Sequence, residues 1–283
     1  MKPQFPLVIS TLAQRFSMGA YCFGIIAAYV FGLNVNIPVL SLTALICLGL
    51  GMSASSAHLG KPLRILNTFA NPTSHLTKEM FCVPLVGIPY LIVGLDGIAY
   101  TLPVTASLLL QAIGFIASLV FIWVTAMAYL MPARPAWRTA GTPANFCLTF
   151  LSSGAVAAAA FMVCTGVEVS GPYLVMNFLL IVLAIVGQGL FIASMGHVGF
   201  GADVSPFEDR IRPVFIAWLV FGVALPLILG VAQIIVPSAG LILLTFGVYL
   251  VDIFIWQCFF FMCGKDVQFF PQYPDAPLNP DYF

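Results

Sequence analysis

The sequence predicts an all-α integral membrane protein with eight transmembrane helices, and three observations carry that prediction. Hydrophobic residues fill 61% of the 283 positions and charged residues 7%, against roughly 25% charged in an ordinary soluble domain. Long apolar runs recur along the chain, bounded by Pro, Gly, Asn or charge, and a helix needs about 20 apolar residues to cross the hydrocarbon core. The basic residues are confined to alternate connections. A soluble globule is excluded by the first observation. A formal net charge of zero leaves no basic field to recruit nucleic acid.

The apolar runs lie at about 7–33, 38–57, 81–102, 104–130, 144–167, 172–196, 214–236 and 239–262. Pro103 and Pro237-Ser238 leave room for tight turns alone, so the third and fourth helices, and the seventh and eighth, form antiparallel hairpins. Lys2 and Arg15, then Lys61, Arg64 and Lys78, then Arg134 and Arg138, then Arg210 and Arg212, and finally Lys265 belong to the termini or the even-numbered loops. The connections at 34–37, 103, 170–171 and 237 hold no Lys or Arg. An even number of spans with both termini on one face follows. The positive-inside rule would call that face cytoplasmic, while docking of a soluble partner to the polar loops explains the same asymmetry on either side.

Ala57-His58-Leu59-Gly60 after the second helix is echoed by Gly196-His197-Val198-Gly199 after the sixth, each followed by a loop with a glutamate, Glu79 and Glu208. Either coincidence or a pseudo-repeat explains this. The repeat would make residues 1–262 two four-helix bundles, 1–130 and 144–262, packed side by side. No short apolar stretch precedes a small-residue cleavage site, so the first span is expected to remain in the mature protein. Four prolines between Pro271 and Pro280 keep the tail 263–283 from forming a helix; it is expected to lie extended on a partner, with simple disorder as the alternative.

The chemistry concentrates in one segment. His58-Leu59-Gly60-Lys61-Pro62-Leu63-Arg64-Ile65-Leu66-Asn67, continued by Ser74-His75-Leu76-Thr77-Lys78-Glu79, packs two His, three basic residues, Asn and Glu between two apolar helices. A neutral His58 exchanges hydrogen bonds and protons near neutral pH, which suits the hydroxyls of a quinol. Arg64 would hold a developing anionic oxygen, and Glu79 would pass protons to water. A solvated basic loop capping two helices is the plainer alternative. Arg15, beside Gln14, either snorkels to the charged face or lines the same polar cavity. Asp252 stands near mid-membrane as a proton relay or as a protonated acid bonding two helices. Asp96 and Glu168 sit at the uncharged-loop ends of their helices, as interfacial carboxylates or part of a proton path.

Cofactor sites are expected to be absent from this chain. Seven cysteines lie scattered without a CxxC pair, read as small apolar residues rather than metal ligands. His58, His75 and His197 all fall at or beyond helix ends on one face, so no pair within the spans is set for bis-histidine haem. Gly51 with Ser55, and the small-residue stretches 154–160 and 187–189, read as close-packing helix faces.

The His-Leu-Gly-x-Pro-x-Arg-x-x-Asn run at His58, Leu59, Gly60, Pro62, Arg64 and Asn67 resembles the membrane-anchor subunits of dimethyl sulfoxide reductase-type molybdoenzyme complexes. The resemblance is reinforced by Ser74-x-Leu76-Thr77-Lys78-Glu79, by Pro135-Ala136-Trp137 with Thr142-Pro143, and by Leu7-Val8-Ile9-x-Thr11 with Gln14. It implies a bacterial inner-membrane protein that anchors an iron–sulfur subunit and a molybdopterin catalytic subunit, and that oxidises menaquinol beside the first polar loop. His58 then corresponds to the quinol-binding histidine, with Arg64, Asn67, Gln14, Arg15 and Glu79 around it, and His58 and Glu79 handling protons. Where the family's last helix often carries Glu and Arg, this chain has Asp252 and Gln257.

A chain without metal ligands or a haem pair cannot carry electrons across the membrane, so quinol site and docking loops must share a face. Two rivals are a quinol subunit of the polysulfide- or nitrite-reductase type and a secondary transporter. The transporter would place its polar groups near the midplane on broken helices, whereas here they crowd one surface.

Overall fold

The computed structural model describes residues 5–57, 71–131, 134–195 and 209–264. Among them stand eight long helices and no strand: α1 (Phe5–Tyr29), α2 (Ile37–Ala57), α3 (His75–Gly94), α4 (Val104–Ala128), α5 (Gly141–Cys164), α6 (Gly171–Met195), α7 (Arg212–Ile235) and α8 (Ala239–Cys263). Seven of them, α2 to α8, are long and apolar enough to cross a membrane. The chain is a multi-pass membrane protein. α1 is equally long but is not among the seven, because it carries Ser10, Thr11, Gln14, Arg15 and Ser17, all buried.

That polarity is tolerated because α1 occupies the interior, packed on α2 and α5 and touching α4 and α8. Its closest approach is to α5. A Cβ on Gly19 would stand 2.6 Å from the Gly154 Cα, so the two backbones meet with no side chain between them. α5 supplies the matching surface with the small-residue run 154–160, and it is the most buried of the seven apolar helices. Gly51 packs on Ala13 and the Ser10 carbonyl of α1, and Gly187 on Leu148 of α5, whereas Gly189 faces open space. Gly154→Leu is expected to force α1 and α5 apart, beyond the 1–3 kcal/mol or so of ordinary overpacking. Loss of the folded protein from the detergent-solubilised membrane fraction, read by size-exclusion chromatography, checks this; a monodisperse variant would refute it.

Two boundaries depart from the expectation drawn from apolarity. α3 begins at His75 rather than near 81, and it ends at Gly94 rather than near 102. Ser74 takes the extended backbone of a helix N-cap, so the polar stretch 75–80 is the first turn and a half of the helix instead of loop. At the far end Gly97 adopts φ 79° and the Asp96 carboxylate accepts the Leu102 amide at 2.9 Å, turning the chain before α4. α7 is interrupted by a π-helical segment, Leu219–Ala224, just before Pro226, a residue that lacks the N–H for a regular turn.

Helix polarity sorts the described charges. Lys78, Glu79, Arg134, Arg138, Asp209, Arg210 and Arg212 belong to one end of the bundle, and Asp96 and Glu168 to the other. The start of α1 and the end of α8 meet at the charged end, where both line one cleft.

Candidate functional site

A cleft of about 650 Å³ opens between the ends of α1, α3 and α4 at the charged end of the bundle. Its α1 wall is built by periodicity: Leu7, Ser10, Thr11 and Gln14 recur every three or four residues and so share one face. On α3, His75 and Glu79 are one turn apart and present imidazole and carboxylate side by side. The end of α4 contributes Tyr129, and the following segment contributes Arg134 and Trp137. Ser55 and Asn71, the lining residues on either side of 58–70 in sequence, border the cleft as well.

Several of the polar groups are held by hydrogen bonds. Glu79 accepts from Thr125 Oγ1 of α4 at 3.1 Å, which leaves its other oxygen for a ligand. Thr77 donates to the Asn71 carbonyl at 2.7 Å, and the Asn71 side chain accepts from the Thr73 hydroxyl at 2.7 Å, fixing the entry into α3. Gln14 makes two long contacts, to Ser10 Oγ at 3.4 Å and Met52 Sδ at 3.5 Å. Its amide is therefore loosely engaged and ready to reorient toward a ligand.

The outer wall is an aromatic clamp. Trp137 donates to the Phe260 carbonyl at 2.9 Å and stacks on the Phe260 ring at 5.0 Å between centroids. Tyr129 packs edge-on against both rings, and the Arg134 guanidinium lies 4.4 Å above the indole. Gly264 lets the end of α8 lie against this indole, because a Cβ there would run into the ring. The segment after α4 is thereby tied to the last turn of α8, and the cleft acquires a rigid rim.

Of the site residues singled out in the sequence, Gln14 of α1 and Glu79 of α3 line this cleft. His58, Arg64 and Asn67 lie outside the described residues. His75, Tyr129, Arg134 and Trp137 also line it and had not been singled out as ligands. His75 was part of the polar run and Trp137 of the Pro-Ala-Trp motif, but nothing in the linear sequence places them beside Gln14. With a carboxylate, an imidazole and a carboxamide in its wall, the cleft has the size and mixed lining of a small-molecule site.

Residues 1–198 match the family model of the DMSO reductase anchor subunit (DmsC). The chain belongs to this family. The chain is also 30% identical over 181 residues to a sulfite dehydrogenase subunit of Allochromatium vinosum, a match covering 57% of this chain and 55% of the relative. It is 29% identical over 157 residues to anaerobic dimethyl sulfoxide reductase chain YnfH of Escherichia coli, covering 52% and 54% respectively. The chain thus spans about half the length of these curated relatives. All cleft-lining residues except Phe261 fall within the stretch matched by the family model.

Two ionisable groups of the anchor subunit sit deep in the bundle, away from the cleft. Arg15 is fully buried and neither snorkels nor lines the cavity, since it points from α1 toward α5 and α8. Its guanidinium lies 4.3 Å from the Phe146 ring centroid. With the Gln257 carboxamide oriented so that oxygen faces it, that oxygen accepts from Nη1 at 2.6 Å and from Nη2 at 2.7 Å. Asp252 is 1% exposed, and its Oδ1 has no hydrogen-bond partner among the described residues. That oxygen faces Gly222 in the π-helical segment, where any Cβ would collide with it. The glycine and the widened turn together make the space this carboxyl occupies.

Proposed function

We propose that the anchor subunit binds menaquinol in the cleft between α1, α3 and α4, oxidises it, and passes the electrons to an iron–sulfur subunit that feeds a molybdopterin catalytic subunit. The supporting observation is the pairing of Glu79 and Gln14 across a cleft at the charged end of the bundle. In this reading α1 is an eighth span, both termini share the docking face, the membrane is the bacterial inner membrane, and the helices divide into two four-helix units.

The chemistry is a balanced two-electron oxidation in which quinol yields quinone, two electrons and two protons. The electrons leave to the docked cluster. His58 takes one hydroxyl proton and Glu79 the other, while Arg64 and Asn67 hold the oxygen on which negative charge develops. Ser55 and Asn71, which flank that stretch in the sequence, both border the cleft. The amphipathic lining suits a ligand with a polar ring and an isoprenoid tail.

Replacing His58 with Ala tests this. Quinol-dependent turnover is expected to be lost, while the docked subunits remain attached and activity driven by a reduced dye, which bypasses the anchor, is retained. Unchanged quinol turnover would overturn the assignment. A second reading runs the same cleft backwards, reducing quinone with electrons from a dehydrogenase; it is favoured by the likeness to a protein named as part of a sulfite dehydrogenase. Assaying the purified complex with quinol and with quinone separates the two.

A further inference from the structure

Below the cleft, the interface of α1, α3 and α4 carries a file of buried polar groups running toward the opposite membrane face. At the cleft end stands Glu79, bonded to Thr125. Deeper, the Tyr90 hydroxyl shares a 2.7 Å hydrogen bond with Ser118, and the Tyr90 ring packs on Tyr21 at 4.0 Å between centroids. The Tyr21 hydroxyl donates to the Gln111 carbonyl at 3.4 Å. Gln111 in turn accepts from the Tyr29 hydroxyl at 2.8 Å and donates to Ser107 at 3.1 Å, and Ser107 donates to Asp96 at 3.4 Å. Ser118 and Tyr90 are fully buried and Gln111 nearly so, whereas Tyr29 is 57% exposed. The file is therefore closed in the middle and open at the far end.

Its length matches the membrane. Glu79 and Asp96 bracket α3, whose 15 or so intervening rises amount to roughly 22 Å, most of a hydrocarbon core about 30 Å thick. Polar contacts between helices also serve as adhesive, so the kind of group matters. A hydroxyl both donates and accepts and can relay a proton; an indole N–H donates and accepts nothing. The other polar seam, between α5 and α8, pairs Tyr249 with Ser152 but is capped toward the charged end by Trp256 donating to Asn145 at 2.8 Å. An indole blocks that seam. The α1–α3–α4 file has hydroxyls or carboxyls at nearly every station and no indole. Two intervals need bridging: the one between Thr125 and Ser118, which passes Phe121 and Ile122, and the one between the Tyr90–Ser118 pair and the Tyr21 hydroxyl, where the two tyrosines meet through their rings. Within α3 the buried Pro89 leaves the Leu85 carbonyl without its helical donor, a polar anchor for bridging water.

We propose that this file is a proton path from Glu79 to Asp96 and Tyr29, so that one of the two protons of each quinol is released on the face opposite the docking loops. The proposal rests on quinol oxidation in the cleft: the bond broken is a quinol O–H, the electrons go to the docked cluster, and the proton passes to Glu79 and onward by hydroxyl and water.

The intact complex, reconstituted into phosphatidylcholine vesicles with a pH dye trapped inside and valinomycin with potassium present, provides the test. An acceptor that cannot cross the membrane restricts turnover to complexes with the docking face outward. About one proton per quinol is expected to appear inside. Ser118→Val and Gln111→Leu should each lower that yield at least tenfold, while Ser118→Thr, which keeps the hydroxyl, should retain it. Quinol oxidation by the natural protein with no internal acidification would overturn the path and leave the cleft assignment standing. Acidification undiminished in both variants would overturn it equally. Absence of quinol oxidation in the natural protein would remove the assignment itself and the path with it.

Discussion

Glu79→Gln is expected to lower quinol-dependent turnover by roughly 10²–10⁴-fold, the usual contribution of a positioned general base. The substitution is nearly isosteric, and a Gln carbonyl still accepts from Thr125, whose bond to Glu79 is 3.1 Å. What disappears is the ability to take a proton from the ring hydroxyl. The fall should therefore appear in kcat with little change in KM, because binding uses the shape of the cleft and the removed step is proton transfer. Glu79→Asp, which keeps the acid but withdraws it by one methylene, should recover part of the loss. Dye-driven activity of the same preparations reports whether the docked subunits are intact. A Glu79→Gln variant oxidising quinol at the natural rate would remove Glu79 from the chemistry.

How much of this was legible in the sequence depended on the kind of signal. Apolar run lengths located the long helices closely, as with the fourth, where the expected 104–130 became α4, Val104–Ala128. They failed at α3, where composition and conformation disagree: Lys78 and Glu79 read as loop on hydropathy, yet Ser74 caps a helix already under way. They also failed to show the π-helical segment of α7, since nothing in Leu219–Ala224 distinguishes it from any apolar helix. Pro226 marks a break but not a widened turn, and the packing of the Asp252 carboxyl and the Trp218 ring against Gly222 is a three-dimensional feature.

The candidate site divides similarly. Gln14 and Glu79 were conspicuous because polar residues are few in so apolar a chain, and the structure sets them around one cleft. Tyr129 and Trp137 were invisible as site residues: aromatic residues are abundant here, and their place in the rim comes from packing on Phe260, 123 positions from Trp137, stacked for Trp137 and edge-on for Tyr129. Arg15 shows the opposite failure. A lone cation in an apolar helix suggested snorkelling or a ligand site, but its partner Gln257 is contributed by the last helix. No local pattern encodes that pairing.

The same pairing carries the largest stability effect expected of a single substitution outside the helix crossings. Gln257→Leu removes the carboxamide oxygen that takes both Arg15 Nη atoms and leaves a cation in the bundle with the Phe146 ring as its main neighbour. Stranding a buried charge costs about 3–5 kcal/mol, while a ring face returns about 2 kcal/mol at most; a sharply lower unfolding temperature of the purified complex is expected. Arg15→Met with Gln257→Leu should behave differently. With charge and partner removed together nothing is left unpaired, and apolar replacement of a buried polar pair is often neutral or better. The double variant should therefore be more stable than Gln257→Leu alone, a strongly non-additive cycle. If the two unfold at the same temperature, Gln257 does not hold Arg15. The double variant also separates structure from field: the Arg15 guanidinium points away from the cleft toward α5 and α8, so a stable double variant with normal turnover in the proposed quinol assay would make the cation a packing element, and one with impaired turnover would make it a source of positive potential acting on the cleft from a distance.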